Sequence, residues 1–182
     1  MFRTHAMLWL VFVGCGGEPA PRTVSIAPVA TSQAPVATSS PLNRTVYRLD
    51  KHVTLADCEW WIMEARDAGQ RIRSNDPNND EDKSTTGRFI QVHFTLTNLS
   101  QKDEMMVEHA MVQDDKGRQF SAVEMEGFYV PARTKSLGLE MLHPNQPQEY
   151  WTVFEVPADA ERLRLKVHGF ARGKSAFVDL RL

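Results

Sequence analysis

The amino-acid sequence predicts an all-β domain, an antiparallel β-sandwich of about seven to eight strands behind a flexible N-terminal tether. Three observations carry this expectation. From Val46 onward apolar and polar residues alternate in short runs, and period two is the spacing of a strand with one buried face. Residues that favour turns break these runs roughly every 8 to 15 positions, as in sandwich folds. Ahead of Val46 lies a Pro-, Ala-, Thr- and Ser-rich stretch with few large apolar groups, which no core can use.

The clearest strand is residues 89–98, where Ile90, Val92, Phe94 and Leu96 alternate with Gln91, His93, Thr95 and Thr97. Similar runs are read at 53–63, 106–112, 150–156, 163–167 and 176–182, with a weaker one at 119–123. Asp114-Asp115-Lys116-Gly117 marks a hairpin, because Gly117 can take the positive φ that closes a tight turn. Pro144-Asn145 and Pro157 punctuate the later strands. Residues 124–137 show no clear period, and no segment reads convincingly as a helix.

Composition bounds the function. The chain has 182 residues, 42% of them hydrophobic, a formal charge of −2 and a pI near 6.3. Residues 46–182 are enough for a single domain with its own core. A phosphate-binding surface needs clustered excess Lys and Arg, so nucleic acid is excluded as an expected partner.

The first residues read MFRTHAMLWLVFVGCGG, with Arg3 ahead of an apolar run over residues 6–14 that ends on Gly14. This is the layout of a signal peptide. Nine residues at ~1.5 Å each cover roughly 14 Å, under half of a ~30 Å hydrocarbon core, so the run is too short to span. Phe12-Val13-Gly14-Cys15 resembles the lipobox of bacterial lipoproteins, although that motif prefers Leu where Phe12 stands. The resemblance implies cleavage after residue 14, lipid on Cys15, and a lipid-anchored, extracytoplasmic place in the cell envelope. Gly16 is not the Asp of an inner-membrane retention signal, which implies the outer membrane where a cell has two. Residues 15–45 then form a linker holding APVATS twice. It is expected to be disordered, and some thirty residues reach roughly 30 Å as a coil or about 90 Å as polyproline II. With Cys15 lipidated, Cys58 has no disulfide partner. Among Trp60, Trp61 and Ile62 it reads as a buried thiol.

Four blocks in the body carry a further resemblance: Gly87 to Asn98, Asp114 to Phe120, Leu142-His143-Pro144 and Val153 to Pro157. Together, over about residues 48–170, they resemble an immunoglobulin-like (telokin-like) extracytoplasmic domain of unknown function common in bacterial lipoproteins. That resemblance implies an immunoglobulin-like sandwich and no particular chemistry. Asn145 stands where the family has Gly, and Asn is among the non-Gly residues that best tolerate the left-handed region.

Three sets of residues are candidate sites. Asp76, Asn78, Asp80 and Asp82 recur at alternate positions, the spacing of oxygen ligands in a calcium loop. Glu81 holds the position of the usual loop Gly, and Gly87 that of the distal Glu, so a solvated loop is the competing reading. His109 and Met111, repeated as Met141 and His143, pair imidazole with thioether and suit cuprous copper. His109-x-Met111 resembles part of the motif of periplasmic copper chaperones, while Met as core filler is the alternative. Trp60, Trp61, Tyr129 and Trp151 are candidates for an aromatic binding patch, since adjacent aromatics on a strand face opposite ways. No nucleophile elbow, zinc-protease helix or phosphate loop is present. The expectation is therefore a non-enzymatic binding or envelope-interaction module, tethered to the membrane, with no cofactor and an envelope protein or glycan as partner. A calcium- or copper-binding protein is the second reading and an envelope enzyme with an unrecognised site the third.

Overall fold

The computed structural model describes residues 45–182 apart from 79, 80, 139, 171 and 172. These residues form an immunoglobulin-like β-sandwich. One sheet holds β2 (His52–Leu55), β3 (Cys58–Ile72), β4 (Lys83–Asn98) and β9 (Pro147–Val156) in the order β2-β3-β4-β9. Facing it, five strands run β1-β11-β10-β6-β7. They are β1 (Val46–Arg48), β6 (Met111–Gln113), β7 (Gln119–Ser121), β10 (Arg164–His168) and β11 (Ser175–Asp179). A two-stranded ribbon of β5 (Glu104–Met105) and β8 (Met141–Leu142) closes one end. All ladders are antiparallel except β1 on β11.

Alternation decides the faces. Trp60, Ile62, Ile90, Val92, Phe94, Leu96, Tyr150 and Phe154 are fully buried between the sheets against Val112, Leu165, Val167 and Val178. The Trp60 indole N–H crosses the core and donates to the His168 carbonyl at 2.7 Å, tying the two sheets together. A second, smaller cluster lies on the outer side of the four-stranded sheet, where Ile72, Phe89, Trp151 and Val153 meet Val123 and Val130. The central strands β4 and β9 are thus covered on both faces, which is why Phe89 and Val153 break the simple alternation of inward apolar and outward polar residues.

Several sequence expectations need correction. The expected strand at 53–63 is a hairpin: Leu55 pairs with Cys58, and Ala56 turns the chain at φ 56°. Buried apolar positions change parity across this turn, from Val53 to Cys58, Trp60 and Ile62. A two-residue turn does just that. β3 then runs on to Ile72 through register shifts after Ile62 and Asp67, and β4 starts at Lys83, six residues before the expected Phe89. The expected strand at 106–112 is not continuous either. The chain there crosses from the ribbon into the five-stranded sheet, and Met106 and Ala110 are buried by insertion into the core rather than by a ladder. These divisions raise the strand count above the expected seven to eight.

Other expectations hold. Asp114 to Gly117 turns between β6 and β7 with Gly117 at φ 80°, and the Asp114 carboxylate takes the Arg118 amide (2.8 Å) and guanidinium (2.6 Å). Asn145 adopts φ 56°, and its amide donates to the Asn98 carbonyl at 2.7 Å. Gly87 is required by close approach, since a Cβ there would overlap the Val156 carbonyl oxygen.

Candidate functional site

The segment that carries no periodicity builds the site. After β7 the chain leaves the five-stranded sheet and bridges β9, Ala122 opposite Phe154, with the Val123 amide on the Val153 carbonyl at 2.8 Å. Met125 at φ 55° then starts a 3-10 turn, Glu126–Phe128. Two side chains hold this excursion down: the Asn75 amide reaches the Gly127 carbonyl at 3.3 Å, and the Gln91 amide the Tyr129 carbonyl at 2.9 Å. It returns to the sheet where Ser136 bridges Trp151 and the Trp151 amide donates to the Lys135 carbonyl at 2.8 Å. Side-chain bonds and strand-edge bridges therefore replace regular secondary structure here.

This path places Glu126 against β9. Its Oε2 accepts the Thr152 hydroxyl and the Val153 amide, the latter at 3.1 Å. Thr152 is buried at an inward position otherwise occupied by Tyr150, Phe154 and Val156, so the carboxylate satisfies a hydroxyl that would be costly unpaired. Burial pushes the Glu126 carboxyl above the ordinary glutamate value of 4.5, against the pull of the Thr152 and Val153 donors and of His109.

Between this excursion and the strands β6, β7 and β10 lies a cavity of about 680 Å³. Its walls are mostly apolar, with Ala110, Met111, Ala122, Val123, Met125 and Leu137. A few polar groups converge on it: Glu126, His109, Lys166 and the pair of His168 with Glu108, whose Nδ1 and Oε2 are 2.6 Å apart. Burial, then the charge of Lys166, holds the His168 imidazole below its ordinary value, opposed by Glu108. An apolar cavity of this volume with few polar groups has the make-up of a small-molecule site.

The sequence candidates are distributed unevenly around it. His109 and Met111 line the cavity, whereas Met141 pairs with Met105 in the ribbon and His143 Nδ1 binds Asp103 at 2.8 Å. The two Met/His pairs therefore sit on different parts of the fold. In the acidic loop, Asp76 spends Oδ1 on the Asn78 amide at 2.8 Å and Asp82 pairs with Arg71 at 2.8 Å. Asp80 lies outside the described residues, as does Cys15. Among the described residues, no three His, Cys, Asp or Glu side chains converge as a metal centre.

The aromatic candidates divide: Trp60 lies between the sheets, whereas Trp61, Trp151 and Tyr129 lie on the outer side of the four-stranded sheet, Trp151 and Tyr129 in its outer cluster. Trp60 is core, while Trp61, 38% exposed, stacks on His52 with centroids 5.1 Å apart. Trp151 is buried under His93 at 4.4 Å and Arg66 at 5.0 Å, and Tyr129 faces Lys83. Cys58 is fully buried, and burial with the nearby Asp57 charge pushes its thiol up to about 12. Sequence reading missed Glu126, Thr152, Glu108, Lys166 and His168. One signal was present: Thr152 is a lone hydroxyl at the inward parity of an apolar strand.

No family model matches the chain, and no curated protein sequence does. Solved structures do resemble it in fold. The yjhA protein of Bacillus subtilis matches with a TM-score of 0.56 at 7% identity, covering 73% of this chain and 98% of that one. A conserved hypothetical protein of Bacillus anthracis matches at 0.53 and 10% identity, covering 72% and 94%. MPT63, a secreted protein of Mycobacterium tuberculosis, matches at 0.51 and 8% identity, covering 76% and 98%. No helix among the described residues is long and apolar enough to cross a membrane. These likenesses establish one thing about the chain: its domain is a β-sandwich shared with bacterial proteins of widely diverged sequence.

Proposed function

We propose that this protein is a lipid-anchored, extracytoplasmic binding module that holds a small, largely apolar ligand in the cavity beside Glu126. The observation that carries the reading is the cavity itself, about 680 Å³ with apolar walls and a carboxylate fixed at β9. The signal-like leader, the Phe12-Val13-Gly14-Cys15 motif and the linker support the tether. The likeness to a secreted β-sandwich supports an extracytoplasmic place.

Two experiments test it. A neutral solvatochromic dye should bind the detergent-solubilised protein and blue-shift, and Ser121→Trp, which fills the cavity from the exposed face of β7, should abolish that signal. Dye binding that survives Ser121→Trp defeats the cavity reading. Cys15→Ser should move the protein from the detergent phase to the aqueous phase or leave an uncleaved precursor, and unchanged partitioning defeats the tether.

A second reading rests on His109, Met111 and Met125 lining the same cavity. Imidazole and thioether together suit cuprous copper. Titration with copper(I), comparing wild type with Met111→Leu, tests it: equal affinity in the two proteins removes this reading.

A further inference from the structure

The chemistry of the cavity identifies its ligand class, an inference that rests on the cavity reading above and deepens it. Glu126 is held by one oxygen only. Oε2 takes both the Thr152 hydroxyl and the Val153 amide, while Oε1, on a side chain that lines the cavity, takes no hydrogen bond from the described residues. A carboxylate fixed in this way cannot swing to solvent without giving up two part-buried hydrogen bonds, so its second oxygen is a preorganised acceptor.

Charge selects the donor. The lining carries the carboxylates of Glu126 and Glu108 against one ammonium, Lys166, which makes no ion pair among the described residues. His168, partner of Glu108, is held toward its neutral form by burial. With the His109 and His168 imidazoles neutral, the lining carries one negative charge in excess. An anionic ligand would bring a third negative charge into apolar surroundings, and a neutral alcohol would leave the Glu126 charge uncompensated.

The geometry points to a small free amine as the ligand, a primary ammonium on an apolar body, its N–H donating to Glu126 Oε1 and its hydrocarbon lying on Ala110, Val123 and Leu137. Burial holds the Glu126 carboxyl above its ordinary value, and a bound cation acts in the opposite direction by stabilising the ionised form.

Calorimetric titration of the full-length protein in detergent with n-hexylammonium, n-hexanol and n-hexanoate at neutral pH is the test. The ammonium is expected to bind about tenfold or more tighter than the alcohol, and the carboxylate weakest. Glu126→Gln should abolish the preference for the ammonium over the alcohol. Because Glu126 also supports β9, a second variant keeps the test independent of folding: Lys166→Met, which removes the opposing charge from a partly exposed position, should favour the ammonium over the alcohol a few-fold more than wild type does. Hexanol or hexanoate binding as tightly as hexylammonium overturns the amine assignment while leaving the cavity reading intact. Binding of none of the three overturns both.

Discussion

The indole nitrogen of Trp60 and the backbone carbonyl of His168 lie 2.7 Å apart across the core, one on each sheet. Neither group has water as an alternative partner, because Trp60 is fully buried and His168 nearly so. The bond fixes the end of β10 from which His168 reaches Glu108 and the cavity. It therefore links core packing directly to site geometry.

Trp60→Phe keeps an aromatic ring in place but leaves the His168 carbonyl without its donor. The expected loss is about 2 kcal/mol, from a buried unsatisfied acceptor and the smaller ring. Urea unfolding should show a lower midpoint with unchanged slope. A change under ~0.5 kcal/mol would mean that the carbonyl finds another donor.

Gly87 and Gly138 make a matched pair. An added Cβ overlaps the Val156 carbonyl oxygen at Gly87 and meets nothing within 4 Å at Gly138. Gly87→Ala should cost about 3 kcal/mol by forcing β4 from β9, and Gly138→Ala should stay within ~0.5 kcal/mol of wild type. Thermal unfolding of the two variants side by side checks this, and equal melting temperatures contradict it.

Glu126 makes stability depend on pH with a definite sign. Its carboxyl is raised by burial above 4.5 in the fold, so the folded protein holds that proton more tightly than the unfolded chain. The resulting contribution is fully present below about pH 4.5 and is lost as pH rises through the folded value. Glu126→Gln cannot titrate. The stability of wild type relative to this variant should therefore fall with rising pH between 4 and 8, by urea unfolding at each pH; a flat or rising difference refutes the assignment.

Asp159 acts in the opposite sense. Hydrogen bonds from Lys116 (2.6 Å) and Arg118 (3.0 Å) lower its carboxyl from 3.8 to about 2. Its contribution is present above pH 3.8 and is lost as pH falls toward 2. The group is solvent-exposed, so the effect should be small and screened by salt. Asp159→Asn should flatten the acid limb of the stability profile only at low ionic strength, and the same flattening in 1 M salt would assign it to something other than this ion cluster.

Much of the sandwich was legible because alternation is a one-dimensional trace of a two-faced object. Ile90 to Leu96 announces its faces without reference to any partner, and Asp114 to Gly117 announces its hairpin through turn chemistry. The hairpin at Ala56-Asp57 was misread for a definite reason. Ala56 is not a usual turn former and no Gly, Asn or Pro stands beside Asp57, so the main clue was the parity change from Val53 to Cys58.

The candidate site was scarcely legible. His109 and Met111 were singled out as metal ligands, and they do line the cavity, but the groups that shape its chemistry come from distant positions. Glu126 belongs to a stretch without period, Thr152 to β9, and Lys166 and His168 to β10. None of these forms a motif, since their meeting depends on how β7 leaves one sheet to bridge the other.

By itself, then, the sequence determined the β class and the inward set of β4, because each is written in local pattern or in composition. Only the tertiary structure decided where residues 122–137 run, that Glu126 meets Thr152, and that a cavity lies between them and β10. Those are consequences of long-range packing: a buried hydroxyl must find an acceptor, and which carboxylate supplies it is settled by the path of the chain in three dimensions.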